Sequence, residues 1–546
     1  MADGQLTAHE AERELWDVVV VGTGMGGGLL GYQLARSGRK VLFIEKGRST
    51  LPGSAGVIRS AMPELAEPSV ARSEAAYFDA LARAGRSTDE IEDISKRRPK
   101  RFVPFIGSGT GGSSALYGMV CERFFARDFT PRGNFRDVGD STVPEAWPIS
   151  YDQLAPWYTE AEKMLGVRGQ PDPLRPEAAT VNLPAAPQFS ADNQPMVDYL
   201  AGRGLHPYHL PMACEYVADC TTCQTYLCPK PCKNEAGRNG VAPAVAEYGA
   251  RLLTQCRVVH LDADRTNVRH VICEHPSGRL AVQAKVVVLA AGALATPMLL
   301  LNSRSGDWPR GLANGSDMVG RNFMRHLLDP IEVWPQSGSK ITAANKEIGL
   351  NDFYFRDGQK YGTVQSFGEI PPMEWLANRP DLRGKALRLM RPAVRGVYER
   401  FFTGGLVLAA MTEDLPYLDN RVLPSNRPSA DGRQRARMQY RLHPGDAQRR
   451  TAFLRLLKDV LDPFRTLALG SGKDNSNLGH VCGTARFGTD PATSVLDAHN
   501  RAHEVENLYV VDTSFFPSSA GLNPSLTVAA NALRVGAHVD QAHFAN

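Results

Sequence analysis

The sequence predicts an α/β protein in which a parallel-sheet nucleotide-binding part is joined to an α+β part built on an antiparallel sheet. Two apolar strands indicate the first part: one leads into a glycine motif near the start of the chain, and the other, residues 286–289, leads into a run of small residues. The second part is indicated by alternating apolar and polar runs between residues 331 and 474. The composition, 43% hydrophobic and 22% charged, is that of a globular protein, and a net charge of +4 over 546 residues does not indicate nucleic-acid binding.

The N-terminal glycine motif has the spacing of a dinucleotide-binding turn. Val18 to Val21 form an apolar, β-branched run suited to a strand that is buried on both faces. The motif G-x-G-x-x-G follows, in which Gly22 permits the tight turn, Gly24 lets the backbone approach a pyrophosphate, and Gly27 allows close packing of helix on strand. The N-terminus of the helix would offer free N–H groups to the phosphates.

A second strand and an acidic residue complete this β-α-β unit. Val41 to Ile44 form another apolar run, which ends at Glu45, where an acidic residue binds the ribose hydroxyls in dinucleotide-binding folds. Because strand, helix, second strand and acid are in register, we predict that the unit binds a dinucleotide and is not merely a flexible turn.

Another glycine-rich stretch occupies residues 105–118. It contains five glycines interleaved with hydroxyl residues. Such a loop either is flexible or lies with its backbone against a large flat ligand, which side chains would keep away. The apolar residues on both flanks favour the packed, ligand-binding loop.

Five of the nine cysteines lie within nineteen residues: Cys214, Cys220, Cys223, Cys228 and Cys232. Thiolates at such spacings can enclose zinc or an iron–sulfur cluster, although the spacing departs from the paired C-x-x-C of a zinc ribbon. We expect structural thiols or local disulfides and no metal, and a metal or cluster is the alternative.

The first sixteen residues have no signal-peptide core, and no apolar run approaches the roughly 20 residues that span a bilayer, so a cytoplasmic location is expected.

Together, GTGMGGG at residues 22–28 and GSGTGGSSALYG at 107–118 resemble the glucose–methanol–choline (GMC) family of flavin oxidoreductases. The run KVVVLAAGALATPMLLL at 285–301 is also like the FAD domain of this family, and residues 147–158 are similar to its bacterial alcohol-oxidising members. The resemblance implies FAD as cofactor. Some members attach FAD covalently through a histidine in the glycine-rich loop, and residues 107–121 contain none, so we predict non-covalent FAD.

The resemblance also implies the domain organisation. The expected fold is an FAD-binding Rossmann-like domain of the glucose oxidase type, assembled from residues 1–165, 236–330 and 475–546. Residues 166–235 and 331–474 form the α+β substrate-binding domain, and the cysteine-rich segment is 214–232. The predicted cofactor-binding residues are Gly22, Thr23, Gly24, Met25, Gly26, Gly27, Glu45, Lys46, Gly109, Gly111, Gly112, Ser113, Tyr117, Gly118, Val258, Val259, Ala291, Gly292, Asp512, Asn523 and Pro524.

The C-terminal sequence predicts the residues that carry the chemistry. His-x-x-Gly-Thr at 480–484, Asp-x-Ser at 512–514 and Asn-Pro at 523–524 resemble the C-terminal signature of the family, which makes His480 the catalytic histidine and Asn523 its partner. An alcohol loses a hydroxyl proton and a hydride when it is oxidised. With a hydride passing to flavin N5, the protein must supply a base, for which imidazole is suited near neutral pH, and a group that orients the oxygen.

We therefore predict an FAD-dependent alcohol oxidase or dehydrogenase that acts on a sugar, glycoside, polyol or aminocyclitol, with oxygen, a quinone or a redox protein as acceptor. The alternatives are a subunit that relays electrons through an iron–sulfur cluster to a cytochrome or quinone, and a lyase on the same scaffold. Other histidines (His326, His443, His499 and His503) are expected to be structural. Candidate aromatic residues of a substrate pocket are Trp334, Phe353, Tyr354, Phe355, Phe367 and Trp375.

Overall fold

The computed structural model describes residues 7–59, 73–177, 181–335, 341, 345–368, 404–428 and 434–545. Its α-helices are α1 Ala8–Arg13, α2 Met25–Arg36, α3 Glu74–Arg83, α4 Tyr151–Met164, α5 Gln194–Gly202, α6 Ala242–Tyr248, α7 Ala295–Asn302, α8 Pro444–Leu461 and α9 Ser525–Phe544. Its strands are β1 Leu15–Val21, β2 Val41–Ile44, β3 Ile91–Asp93, β4 Lys100–Phe102, β5 Tyr208–His209, β6 Arg251–Leu253, β7 Arg257–Ala263, β8 Val268–His275, β9 Gly278–Leu289, β10 Leu327–Trp334, β11 Ile348–Leu350, β12 Phe355–Arg356, β13 Gln359–Lys360, β14 Gly362–Ser366, β15 Leu406–Thr412, β16 Arg421–Pro428, β17 Gln434–Gln439, β18 Arg465–Ala468 and β19 Leu508–Val510.

The first sheet has seven strands and is built around β1. Its order is β6-β2-β1-β9-β8-β7, and β19 also pairs with β9. The β6–β2, β2–β1, β1–β9 and β9–β19 pairs are parallel, whereas β7, β8 and the first half of β9 form an antiparallel extension. Val18, Val19 and Val20 are fully buried in a core that they share with Leu29 and Leu30 of α2 and with residues of α9. The predicted parallel sheet is confirmed.

The second sheet has six strands in the order β18-β10-β15-β14-β11-β5, and every neighbouring pair is antiparallel. Helix α8 packs on it through Phe453, Leu457 and Leu461, which share a core with Leu406 and Leu408 of β15. The antiparallel sheet expected between residues 331 and 474 is therefore present, and β5 adds one strand to it from an earlier segment.

A smaller sheet, β16-β17-β3-β4, joins the two parts of the chain. Strand β3 pairs in parallel with β17, so residues assigned from the sequence to the FAD domain hydrogen-bond with the middle of the other part. The domain boundaries themselves stay predictions. Within the described ranges, no helix combines the length and the apolar character that crossing a membrane requires.

Candidate active site

A cavity of about 1550 Å³ opens at the carboxyl ends of the parallel strands. Val21 and Ile44, the last residues of β1 and β2, line one side, and Leu328, Gln365 and Ala409 of the antiparallel sheet line the other. Ordinary small-ligand pockets measure roughly 300–1,000 Å³. The cavity therefore has room for a dinucleotide-sized group and a second, smaller molecule.

The glycines of the N-terminal motif differ in what surrounds them. Gly22 has φ +98°, a left-handed backbone that turns the chain out of β1. A Cβ on Gly27 would lie 2.1 Å from the carbonyl oxygen of Gly22, so this glycine permits the contact of α2 with the sheet. A Cβ on Gly24 or on Gly292 would meet no protein atom within 4 Å, although both residues line the cavity. Bare backbone at these two positions leaves space that a cofactor can fill.

Two helix N-termini border this space. Helix α2 begins at Met25, with Gly24 as its N-cap, and the 20-residue helix α9 begins at Ser525 after Asn523 and Pro524. All five residues line the cavity. The unpaired N–H groups and positive dipole end of each helix attract negative charge. These two helix N-termini fit a cofactor that carries a pyrophosphate and also a ring that gains electron density.

Two buried carboxylates organise the backbone around the cavity. Glu45 accepts hydrogen bonds from Thr23 Oγ1 (2.7 Å), Gly47 N (2.9 Å) and Gly109 N (3.2 Å), which ties the first turn to the second glycine-rich loop. Asp512 accepts from Gly292 N (2.9 Å) and from a hydroxyl on α7. Burial raises the pKa of Asp512 despite these hydrogen bonds.

Most of the predicted cofactor-binding residues line the cavity. They are Gly22, Thr23, Gly24, Met25, Gly26, Glu45, Lys46, Gly112, Ser113, Tyr117, Gly118, Val258, Val259, Ala291, Gly292, Asp512, Asn523 and Pro524. Gly27, Gly109 and Gly111 do not line it. A Cβ on Gly109 would lie 2.9 Å from Arg48 O, and one on Gly111 would lie 2.1 Å from a carboxylate oxygen of Glu235. These glycines allow close packing behind the cavity wall.

Two histidines meet in the wall of the cavity because the chain pairs with itself nearby. Met324 and Cys482 form an antiparallel bridge, in which each N–H donates to the other carbonyl at 3.0 and 2.9 Å. Two residues further from the bridge, in opposite directions along the chain, are His326 and His480. Their Nδ1 atoms lie 3.1 Å apart, and both residues line the cavity.

The hydrogen bonds of His326 fix the tautomer of His480. His326 Nε2 lies 3.0 Å from the carbonyl oxygen of Ser519, which can only accept, so this nitrogen carries a hydrogen. Burial lowers the pKa of His326. Burial, together with the proximity of His326 and Lys346, holds the pKa of His480 well below its usual range. Both rings are therefore neutral near pH 7. The hydrogen between the rings therefore belongs to His480 Nδ1, which leaves His480 Nε2 unprotonated as an acceptor.

Asp414 hydrogen-bonds both to the backbone of His326 and to Ser519, the residue that the His326 ring contacts. Its carboxylate accepts from His326 N at 3.0 Å, and its backbone carbonyl accepts from Ser519 Oγ at 3.1 Å. His326 has φ +61°, a conformation that costs free energy for a residue with a Cβ. The fully buried Asp414 offsets this cost and fixes the position of the His326 ring.

Asn523 is oriented by a residue of the antiparallel sheet. Gln365 Nε2 on β14 donates to Asn523 Oδ1 at 2.6 Å. With its oxygen engaged, Asn523 has its amide N–H groups left for a ligand, and both residues line the cavity. The site thus combines a neutral imidazole acceptor with an amide donor.

His326, which was expected to be structural, lies beside the predicted base: its ring contacts His480 directly and lines the cavity. The sequence signal for it is its place at the end of VGRNFMRH, residues 319–326, which resemble the segment that follows 285–301 in the GMC family. Gln365 and Lys346 also line the cavity, and no sequence pattern indicated them. Of the aromatic candidates, Phe367 lines the cavity, Phe353 and Tyr354 are buried in the core, Trp334 and Phe355 are not cavity residues, and Trp375 lies outside the described residues.

The cysteine-rich segment lies behind the second glycine-rich loop, since Thr225 N donates to Leu116 O at 2.7 Å. Its sulfurs approach each other without bonding: Cys214 Sγ lies 3.6 Å from Cys220 Sγ, and Cys228 Sγ lies 3.1 Å from Cys232 Sγ, against about 2.05 Å in a disulfide. All nine cysteines are free thiols in the structure. Among the described residues, no group of three or more His, Cys, Asp or Glu is arranged to hold a metal ion.

Comparison with known proteins identifies the class to which this fold and site belong. Models of the GMC oxidoreductase family match residues 25–328 and 416–532, so the chain belongs to this family. It is a flavoprotein oxidoreductase with an FAD-binding α/β domain and a substrate-binding domain, as the sequence predicted, and its cofactor is FAD.

The proteins similar in sequence and in structure align with almost the whole of this chain. Paromamine 6'-oxidase of Streptomyces fradiae is 30% identical over 95% of this chain and 90% of its own length, and the fructose dehydrogenase large subunit of Gluconobacter japonicus is 25% identical over 95% and 96%. The structure of pyridoxine 4-oxidase from Mesorbium loti superposes with a TM-score of 0.64 at 20% identity, covering 96% of this chain and 99% of that one. The enzyme is thus an FAD-dependent alcohol oxidoreductase.

Proposed function

We propose that the enzyme oxidises an alcohol group of a sugar, glycoside, polyol or aminocyclitol to a carbonyl, with His480 as the general base and Asn523 as the group that holds the substrate oxygen. The observation that carries the proposal is the chain of hydrogen bonds from Ser519 O through His326 to His480. These two hydrogen bonds assign the hydrogen between the rings to His480 Nδ1. His480 Nε2 therefore carries no hydrogen and can accept one from a molecule in the cavity.

The residues of this chain would act as follows. His480 Nε2 takes the hydroxyl proton as the C–H bond breaks, and the amide of Asn523 donates to the oxygen on which negative charge develops. Gln365 keeps that amide turned towards the oxygen. FAD, when bound, accepts the hydride.

The relatives support the substrate class. Paromamine 6'-oxidase is named for paromamine and fructose dehydrogenase for a sugar, and both match nearly the whole of this chain.

We propose further that FAD is bound non-covalently, since residues 107–121 contain no histidine. Acid precipitation should then leave the yellow colour in the supernatant, and a yellow protein pellet would contradict it.

The proposal is tested by mixing the FAD-loaded enzyme anaerobically with a panel of polyols, sugars, glycosides and aminocyclitols. We expect at least one to bleach the flavin absorbance and to yield the carbonyl product in equal amount. A product formed without bleaching would indicate a lyase instead. Reoxidation of the bleached enzyme by oxygen, a quinone or a redox protein would identify the acceptor.

The relay alternative has its own measurement. A subunit that passes electrons through the cysteine-rich segment must contain iron and sulfide, so chemical analysis of the purified enzyme for both decides it. Iron and sulfide at stoichiometric level would favour the relay, and their absence would rule it out.

A further inference from the structure

Lys346 is a buried amine in the substrate side of the cavity. It lies two residues before β11 and is 4% exposed. Its ammonium nitrogen lies 5.0 Å from the ring centroid of Phe367, and a Cβ on Gly118 would lie 2.7 Å from the same nitrogen. The ammonium is therefore placed between the second glycine-rich loop and the antiparallel sheet, where a substrate would meet the cofactor loop.

This ammonium makes no hydrogen bond and no ion pair with any residue in the described ranges. The other buried lysines of the cavity surroundings are paired. Lys360 Nζ lies 2.5 Å from an oxygen of Asp128 and also contacts Glu413, and Lys233 Nζ donates to Tyr226 O at 2.9 Å. Because an unpaired buried cation is costly, the position of Lys346 indicates a ligand that supplies the missing oxygen atoms.

Within the part of the chain that the structure describes, no side-chain carboxylate pairs with Lys346. Glu347, its neighbour in the chain, has its carboxylate oxygen occupied by Ser190 N (2.9 Å) and Asn193 Nδ2 (2.8 Å). The ammonium and the side-chain oxygen of Gln224 both lie beside Gly118, and the ring of Phe367 lies beside the ammonium. Lys346 stays largely protonated near pH 7, because burial lowers its pKa only to about 8.

A second buried cation, Arg325, also lines the cavity. Arg325 is 2% exposed, and its Nε and Nη1 atoms have no hydrogen-bond partner among the described residues, although Nη2 donates to Gly472 O at 2.9 Å. Asp474 also lines the cavity, but its side chain is exposed to solvent. Arg325 also lies over the ring of Tyr440, whose hydroxyl donates to the buried carboxylate of Asp414, so a negative charge lies beside Arg325 and Lys346 is the cation left for a ligand.

We propose that Lys346 binds a carboxylate of the substrate, so that the enzyme takes a hydroxy acid of the sugar-acid type, with its reacting hydroxyl at His480 and its carboxylate at Lys346. The inference rests on the proposed function and narrows its substrate class. Lys346 and His480 line the same cavity, as a substrate that contacts both residues requires. A substrate with an ammonium group at this position would bring like charges together.

The test compares gluconate with glucitol, which differ in having a carboxylate or a hydroxymethyl group at one end. Isothermal titration measures the binding of each to the FAD-loaded wild type, to Lys346→Met, which removes the charge at similar length, and to Lys346→Arg, which keeps it. We expect gluconate to bind more tightly than glucitol to the wild type. Lys346→Met should weaken gluconate binding about 10-fold or more and leave glucitol binding unchanged, and Lys346→Arg should largely preserve both.

Three results would overturn the proposal: no gluconate binding by the wild type, equal losses for the two ligands in Lys346→Met, or tighter binding of glucosamine than of gluconate. Each of them leaves the proposed alcohol oxidation intact, since bleaching of the flavin by a neutral or cationic alcohol would still be observed. Failure of every alcohol and hydroxy acid to bleach the flavin would instead overturn the proposed function, while the binding difference could be measured regardless.

Discussion

The two sides of the cavity are built in different ways. On the cofactor side, the determinants lie close together in the sequence: Gly22, Gly24 and Glu45 belong to one β-α-β unit and act through backbone conformation and local turns. On the substrate side, His326 and His480 are 154 residues apart and meet through one antiparallel bridge. Substitutions on the cofactor side should therefore change folding or FAD binding, and those on the substrate side should change the rate of flavin reduction with FAD still bound.

The largest effect is expected for His480→Ala. The variant should fold and bind FAD, because His480 is not a core residue, but flavin reduction by substrate should slow by roughly 10²–10⁴-fold with loss of the base. Stopped-flow absorbance under anaerobic conditions measures the rate, and the flavin spectrum serves as the control for binding. An unchanged rate would remove His480 from the mechanism.

The next effect concerns His326, which positions His480 and does not itself take the proton. His326→Leu should slow flavin reduction by roughly 10- to 100-fold, because His480 Nδ1–H loses its acceptor and the ring can change tautomer. His326→Gln is the matched control: its amide can accept from His480 and donate to Ser519 O. We expect it to restore much of the rate. The substrate concentration for half-maximal rate should stay constant in both, and equal losses in the two variants would contradict the positioning role.

A pair of glycine variants tests the cofactor side. Gly27→Ala should lower the free energy of unfolding by about 1–3 kcal/mol, because its Cβ would lie 2.1 Å from a backbone oxygen. Gly24→Ala should leave the stability of the FAD-free protein within about 1 kcal/mol, since φ is −68° and no protein atom lies within 4 Å. Its affinity for FAD should fall about 10-fold as the methyl group displaces the pyrophosphate. Thermal unfolding and FAD titration separate the two, and normal FAD affinity in Gly24→Ala would refute the assignment.

The smallest effect is expected for pH, on which the rate of flavin reduction should hardly depend. A histidine of ordinary pKa 6.5 would be about one quarter neutral at pH 6, so the reduction rate would fall about fourfold between pH 8 and pH 6. Burial holds the pKa of His480 well below this range, and a base with a lowered pKa keeps its lone pair further into acid. We therefore expect an almost constant rate at saturating substrate from pH 8 to pH 6. A fourfold fall would show that His480 titrates normally.

Short-range patterns predicted the cofactor side well. Alternation and glycine spacing describe interactions within about 30 residues, so they correctly predicted β1, α2 and β2 and the turn at Gly22. Gly27 packs closely against the sheet as its spacing predicted, whereas Gly109 and Gly111, expected to bind the cofactor, pack against Arg48 O and the carboxylate of Glu235 and do not line the cavity. Spacing alone does not distinguish a glycine that faces a ligand from one that faces a neighbouring segment.

The sequence by itself determined the parallel and antiparallel parts, the family, the cofactor, and His480 and Asn523 as candidates, because each of these depends on local periodicity or on a contiguous motif. Only the tertiary structure decided the partners of these residues: His326 beside His480 and Gln365 beside Asn523. It also placed Lys346 in the wall of the same cavity, with no ion-pair partner among the described residues. Strand pairing between distant segments sets those neighbours, and no pattern along one stretch of chain records which distant residue will lie opposite it.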